Sequence, residues 1–184
     1  MILLTKRLLT ENKLAYIYRY NYQQDLVNKV AHMGVLNSLI IEGSPRTPSV
    51  DFSSVTGDLI LSGRSIPENA IMVYQQLYDW VTEYSKNAHP TTNLRLNLEY
   101  FNTASSIWIA KIVKVLCTID RPEAMLMIHL YFGIEEFESM ESDDIQDALS
   151  PFTDLASEAV VSVGIKIYGS DRNGMVVKEN IVLL

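Results

Sequence analysis

The chain has 184 residues, a length typical of one folded domain or of one domain with extensions. Hydrophobic residues make up 48% of it, which is enough to fill a core, and the formal net charge is −7. Because nucleic acids and anionic membranes repel a protein of this charge, neither is expected as the main partner. The single cysteine, Cys117, excludes an internal disulfide and suits a reducing cytoplasm.

The start of the chain carries no pattern of a membrane or export segment. No stretch approaches the ~18 consecutive apolar residues of a membrane span. The sequence MILLTKRLLTENK has charges too early for a signal peptide and lacks a small-residue cleavage site. We therefore predict a cytoplasmic protein without membrane insertion.

The first elements form an N-terminal extension over residues 1–37. Leu14–Tyr20 has the pattern of a strand, and a short helix is predicted to end near Gly34. Ser38–Glu42 then begins the core of the domain as a strand, and Val50–Phe52 is predicted to continue the sheet.

A strand and a long helix follow the turn at Gly57. Asp58–Ser62 reads as the strand, and Ser65 with Glu68 has the spacing of a helix capping box, with Pro67 in the first turn. The apolar residues beyond Pro67 recur every three or four positions up to Tyr84, which predicts a helix of about five turns with one wide apolar stripe.

The next segment changes abruptly from a strand pattern to a helix pattern. Leu94–Phe101 alternates apolar and polar residues, and a hydroxyl-rich cluster (Asn102–Ser106) separates it from the largely apolar helix that continues from Ile107. The unpaired N–H groups at a helix start favour an anion, so this turn would accommodate a phosphate carried on one of its own hydroxyls. The alternative is that the hydroxyls only cap the helix.

The order strand, helix, strand, helix predicts a right-handed crossover between neighbouring parallel strands. Such strands would bring the loop around Arg64 close to Thr103.

The rest of the sequence contains an acidic stretch and predicts one more strand and a β-hairpin. Met125–Tyr131 is the strand, and its His129 is expected to be structural. Cys117 falls on an apolar helix face, as a small buried hydrophobe. The end of the chain reads as a β-hairpin that turns near Asn173-Gly174. The acidic stretch lacks the glycine and ligand order of a calcium loop and is predicted to be a solvated face, with these seven acids: Glu135, Glu136, Glu138, Glu141, Asp143, Asp144 and Asp147.

Three segments together resemble one bacterial family. SGRSIPENA (Ser62–Ala70) and LEYFNTASS (Leu98–Ser106), with TPSVDF (Thr47–Phe52) before them, are similar in order and separation to the SiaC family of regulatory phosphoproteins. The resemblance covers roughly residues 38–150, which are taken as the SiaC-like domain, with residues 151–184 as a C-terminal extension on the same domain.

The resemblance implies an α/β fold: a STAS-like mixed sheet with helices mainly on one face. It implies a regulator that catalyses nothing and is switched at Thr103, phosphorylated by a partner kinase and dephosphorylated by a metal-dependent serine/threonine phosphatase. The unphosphorylated form would bind and activate a diguanylate cyclase, which raises cyclic diguanylate and promotes biofilm growth.

The resemblance also focuses the candidate site. Thr103 is the predicted phosphorylation site, with Ser105 and Ser106 as secondary candidates. Two departures from the family pattern are Ala104, where a serine is usual, and Ile107, near which a lysine is common; Lys111 is the first cation of the helix. The following residues are expected to contact partners: Arg64, Glu68, Asn69, Asn102, Thr103 and Ser105. Three of them have a simpler alternative role: Arg64 as a solvated arginine, Glu68 as a helix-capping residue and Asn69 as a structural residue of the helix start.

Other classes of function have less support. The sequence has no phosphate-binding glycine loop, no metal-ligand spacing and no serine or cysteine paired with histidine at a recognised interval, so neither enzyme chemistry nor a metal or cofactor is predicted. The remaining alternative is an anti-sigma-factor antagonist of the STAS type that acts on an anti-sigma kinase.

Overall fold

The computed structural model describes residues 36–183. The chain divides into two units, Met1–Val35 and Leu36–Leu184, and the fold below belongs to the second. The strand and the helix predicted before Gly34 lie outside the described residues.

A seven-stranded sheet organises this unit, and its strands lie side by side in chain order. The strands are β1 (Leu39–Ile41), β2 (Ser49–Phe52), β3 (Asp58–Ser65), β4 (Thr91–Phe101), β5 (Met125–Gly133), β6 (Ser162–Ser170) and β7 (Val176–Leu183). The four strands β3 to β6 run parallel to one another, whereas β1, β2 and β7 pair antiparallel at the two edges. All strands predicted within the described range are confirmed, several of them longer than predicted.

Four helices connect the parallel strands: α1 (Ala70–Ser85), α2 (Thr103–Leu116), α3 (Ile134–Ser139) and α4 (Ser142–Ala156). Parallel strands that follow one another in order, joined by right-handed crossovers, place their helices on one face of the sheet. Accordingly, α1 packs on α2 and α2 on α4. The predicted mixed α/β fold is confirmed, and none of the helices among residues 36–183 is long and apolar enough to cross a membrane.

The predicted start of α1 is wrong by several residues. Ser65 is the last residue of β3 and its side chain is fully buried, so it does not cap the helix. The N-cap is Asn69, whose Oδ1 accepts a hydrogen bond of 3.1 Å from the N–H of Ile71. Glu68 forms an exposed ion pair with Arg46 (2.6 Å). Ser65 and Glu68 have the spacing of a capping box, but the Ser65 side chain faces the core. There its hydroxyl contacts those of Tyr74 and Ser105.

The C-terminal hairpin is present, and it belongs to the sheet itself. β6 pairs in parallel with β5 over its whole length and antiparallel with β7. The turn is longer than a two-residue hairpin, since the Asp171 N–H donates to the Met175 carbonyl and Gly174 takes a positive φ of 78°. The predicted boundary at residue 150 falls inside α4.

His129 and Cys117 are structural, as expected. Nε2 of His129 donates to Asn93 Oδ1 (3.1 Å) and Nδ1 accepts from the Tyr168 hydroxyl (2.9 Å), which satisfies the neutral ring. Burial, with help from the nearby Arg95 guanidinium, lowers the pKa of His129 to about 4. Cys117 is buried at the end of α2, and burial raises the pKa of its thiol.

Candidate functional site

Thr103 is the first residue of α2, and its side chain is exposed. The preceding Asn102 is extended and caps the helix, because its Oδ1 accepts a 2.9 Å hydrogen bond from the N–H of Ser105. Helix geometry supplies no acceptor for the N–H groups of Thr103 and Ala104. No acidic residue lies in the first turn, so an anion there would meet the positive end of the helix dipole without a competing side-chain charge.

Ser105 is fully buried beneath this turn, which overturns its place among the reachable hydroxyls. Its Oγ lies 2.8 Å from the Oγ of Ser65 and donates to the Ser65 carbonyl (3.0 Å). The Tyr74 hydroxyl lies 2.7 Å from the Oγ of Ser65. One proton arrangement satisfies all three hydroxyls: Tyr74 donates to Ser65, Ser65 to Ser105, and Ser105 to the carbonyl. A kinase or partner cannot reach Ser105 in this fold.

Further hydrogen bonds join the starts of the two crossovers, as expected for neighbouring parallel strands. The backbone N–H of Asn102 donates to the Ser65 carbonyl (2.9 Å), and the side-chain Nδ2 of Asn102 lies 3.5 Å from the Pro67 carbonyl. Arg64 is exposed and stands opposite Tyr100 in the β3–β4 register. Arg64 therefore lies in β3, not in the loop where the sequence placed it, and the end of β3 with the following Pro67 borders the turn that carries Thr103.

The other predicted residues are placed as follows. Ser106 is half-buried, and its Oγ donates back to the Thr103 carbonyl (2.8 Å). Glu68 and Asn69 are exposed before α1, where the first pairs with Arg46 and the second caps the helix. Lys111 lies 4.3 Å from the ring centre of Trp108, so its charge rests on an aromatic face two turns beyond Thr103.

Large apolar side chains are exposed at the same end of the sheet. They stand at the end of β4, in the first turn of α1 and in the second turn of α2, and we call them the apolar patch: Ile71 (60% exposed), Met72 (76%), Tyr100 (58%), Phe101 (47%) and Ile107 (53%). A cluster of exposed apolar side chains at one end of a fold is typical of a protein-binding surface. Thr103 lies in chain between two members of this patch.

A cleft opens beside the turn, and no local sequence pattern marks it. β4 and β5 pair only from Thr91–Met125 to Leu96–Leu130. Beyond that point β4 continues along β3 and β5 along β6, so the two strands part. A cavity of about 780 Å³ lies in the opening, between α2 and the α3–α4 segment. Within the described part of the chain, no group of three histidine, cysteine, aspartate or glutamate side chains is placed to hold a metal ion.

Comparison with known proteins identifies the family. Residues 41–156, more than half of the chain, match the family described as SiaC family regulatory phosphoprotein. The chain belongs to the SiaC family. A protein of Pseudomonas aeruginosa (strain UCBPP-PA14), described as uncharacterized, is 33% identical over 70 residues, which are 38% of this chain and 56% of that relative. The chain thus spans just over half the length of this curated relative.

Two solved structures share the fold of this SiaC family member. The crystal structure of apo-SiaC from Pseudomonas aeruginosa has a TM-score of 0.53 and 21% identity, over 70% of this chain and 98% of that one. The structure of diguanylate cyclase SiaD in complex with its activator SiaC, from the same organism, contains a chain with a TM-score of 0.55 and 20% identity, over 71% of this chain and 99% of that one. At such identities the likeness establishes the fold.

Sequence reasoning missed the roles of Ser65 and Tyr74 as well as the cleft. Tyr74 occupies an apolar-stripe position, and the hydroxyl that it contacts, that of Ser65, lies nine residues earlier in the chain. The one available signal was a serine near the start of each of two consecutive crossovers, Ser65 and Ser105, because parallel neighbouring strands place these starts at the same edge of the sheet.

Proposed function

We propose that this protein is a non-catalytic partner switch, in which phosphate on Thr103 decides which protein docks over the apolar patch. The observation that carries the proposal is an exposed hydroxyl at a helix start with open N–H groups, set among exposed apolar side chains. Membership in a family of regulatory phosphoproteins supports the same reading.

The surroundings of the neighbouring hydroxyls support Thr103 as the acceptor of the phosphate. Ser105 is buried in a hydrogen-bond network, and the Ser106 hydroxyl is half-buried and bonded to a backbone carbonyl. A phosphate adds about −1.5 to −2 charges and three strong acceptor oxygens. The first-turn amides of α2 can receive that charge, so the fold tolerates it.

A phosphate on Thr103 should affect partner docking much more than it affects folding. A partner that covers the apolar patch would have to strip water from the phosphate, and burying a charge without a matched partner costs several kcal/mol. Because each ~1.4 kcal/mol is tenfold in affinity, phosphorylation should weaken such docking by roughly a hundredfold or more. The unphosphorylated form is then the one that binds through the patch.

The partners we propose are a dedicated protein kinase, a metal-dependent serine/threonine phosphatase and a diguanylate cyclase, all in the cytoplasm. The cyclase is favoured because a structural relative is described as the activator of one. In this scheme the unphosphorylated protein activates the cyclase, and the kinase ends the activation.

The test combines purified cyclase with wild type, Thr103→Ala and Thr103→Glu, and measures both complex formation and cyclic diguanylate synthesis. Wild type and Thr103→Ala should bind and activate, whereas Thr103→Glu should do neither. Phosphosite mass spectrometry of protein from cells should find the phosphate on Thr103. Equal activation by all three proteins, or phosphate on another residue alone, would refute the switch. Capture of an anti-sigma kinase in place of the cyclase would move the protein to the alternative class.

A further inference from the structure

The cleft between β4 and β5 has two unlike walls. Its floor is made by the buried side chains of Leu96, Ile109 and Leu130. Along one side runs α2, with Ser106 and Ala110 facing the cavity. Thr103 lies three residues before Ser106 and seven before Ala110, so it belongs to the same stripe of the helix, one turn before the first residue of α2 that lines the cleft.

The opposite side of the cleft carries most of its carboxylates. Glu136 of α3, Asp147 of α4 and Asp171 of the β6–β7 turn line it, together with Arg172, and Glu99 of β4 also lines the cavity. The Asp171 carboxylate accepts N–H groups of Asn173 and Met175, which lower its pKa. Arg172 is paired with Glu135 (3.0 Å). Among the ion pairs formed within residues 36–183, none includes Glu136 or Asp147.

The shape and charge together select an occupant. A volume of about 780 Å³ with an apolar floor is of the size that takes several side chains of a docked segment. A segment that carried acidic residues would be repelled by the far wall, whereas lysine or arginine there would find two carboxylates that form no ion pair within residues 36–183. Apolar side chains with flanking cations therefore satisfy both walls.

We propose that this cleft seats a cationic amphipathic segment of the diguanylate cyclase, with its apolar side chains on the floor and its lysine or arginine side chains facing Glu136 and Asp147. The identity of the partner rests on the proposed function, whereas the chemistry of the segment rests on the cleft. A phosphate on Thr103 would arise at the α2 side, away from the carboxylate wall, where the segment presents its apolar side chains and offers the phosphate no cation.

The first test uses a probe that does not depend on the cyclase. A fluorescent 14-residue peptide of leucine and lysine, and its leucine–glutamate counterpart, are titrated into the purified protein. The lysine peptide should bind, and Ala110→Phe, which fills the cleft, should weaken it at least tenfold. Thr82→Phe, which adds the same ring at an exposed position near the end of α1, should leave binding unchanged.

A second variant guards against a folding defect in Ala110→Phe. Glu136→Lys combined with Asp147→Lys should abolish binding of the lysine peptide, whereas Asp79→Lys combined with Glu83→Lys, an equal charge change on α1, should reduce it by less than threefold. Equal binding of both peptides to wild type, or undiminished binding to both cleft variants, would overturn the proposal.

The same variants are then measured against purified cyclase. Loss of binding in Ala110→Phe and in the lysine pair supports the cleft, and if Thr103→Glu still binds, the phosphorylation switch fails while the cleft stands. Unchanged cyclase binding by both cleft variants refutes the assignment. If the wild type binds no cyclase, the assigned partner falls together with the proposed function, and the peptide titration decides the chemistry of the cleft.

Discussion

A negative charge at position 103, which we propose blocks a partner, should nevertheless stabilise the folded protein slightly. Thr103 is exposed at the first position of α2, and no acidic side chain occupies that turn. A carboxylate at a helix N-terminus contributes about 0.3–1 kcal/mol. For a protein of this size 1 kcal/mol corresponds to about 2–4 °C in Tm, so Thr103→Glu should melt about 1–4 °C above Thr103→Gln.

The pH dependence identifies the cause of this stabilisation. The helix N-terminus holds the pKa of the new carboxylate below its unfolded value of about 4.3, so the gain is present above that pH and is lost as the pH falls through the folded pKa. Calorimetry at pH 7 and pH 3.5, at low and high salt, measures it. The Thr103→Glu gain should shrink in acid and in salt, because both remove the charge interaction.

One result would refute this reasoning. If Thr103→Glu lost more than about 2 kcal/mol relative to Thr103→Gln, a charge at this position would damage the fold itself. Loss of cyclase binding would then follow from unfolding, and the proposed separation of docking from stability would be wrong.

Three further predictions concern the hydrogen bonds around Thr103 and in the sheet. Ser65→Ala should destabilise by roughly 1–3 kcal/mol, since it leaves the buried Tyr74 hydroxyl without its acceptor, whereas Tyr74→Phe should cost only about 1 kcal/mol; urea unfolding should show that the two losses do not add. Asn102→Ala should cost about 1 kcal/mol by removing the cap of α2 and Asn102→Asp should not, and an equal loss in both would show that the cap hydrogen bond is unimportant. His129 is neutral when folded with its pKa lowered to about 4, so its contribution is complete above pH 6.5 and fades as the pH falls toward 4. Wild type should lose roughly 1–3 kcal/mol over that range, and unfolding of His129→Gln should show less of this loss.

The order of strands and helices followed from local pattern because each crossover is local in the chain. The alternation in Leu94–Phe101 and the apolar stripe from Ala70 to Tyr84 are set by burial of one face, which any neighbouring element would require. The position of Thr103 was predictable for the same reason, since a strand that ends in hydroxyls and asparagine before an apolar run has few other conformations.

The features that the sequence did not reveal depend on contacts between distant residues. Ser65 and Glu68 have capping-box spacing, but the hydroxyl of Ser65 is held by Ser105, 40 residues later, and the carboxylate of Glu68 by Arg46. Ser105 looks like Thr103 in sequence, yet helix rotation turns it into the core. The cleft exists because β4 and β5 part after Leu96 and Leu130, which no local pattern marks.

The position of β4 as the fourth of seven strands has a consequence for how proteins of this architecture can vary. Thr103 follows the middle strand, and the groups that hold its turn come from β3, α1 and α2. The outer strand β7 pairs with β6 alone and shares no hydrogen bond with that turn. Sheet edges can therefore lengthen, shorten or change their sequence without altering the start of α2, so new partners can be gained at the periphery while the Thr103 hydroxyl keeps its geometry.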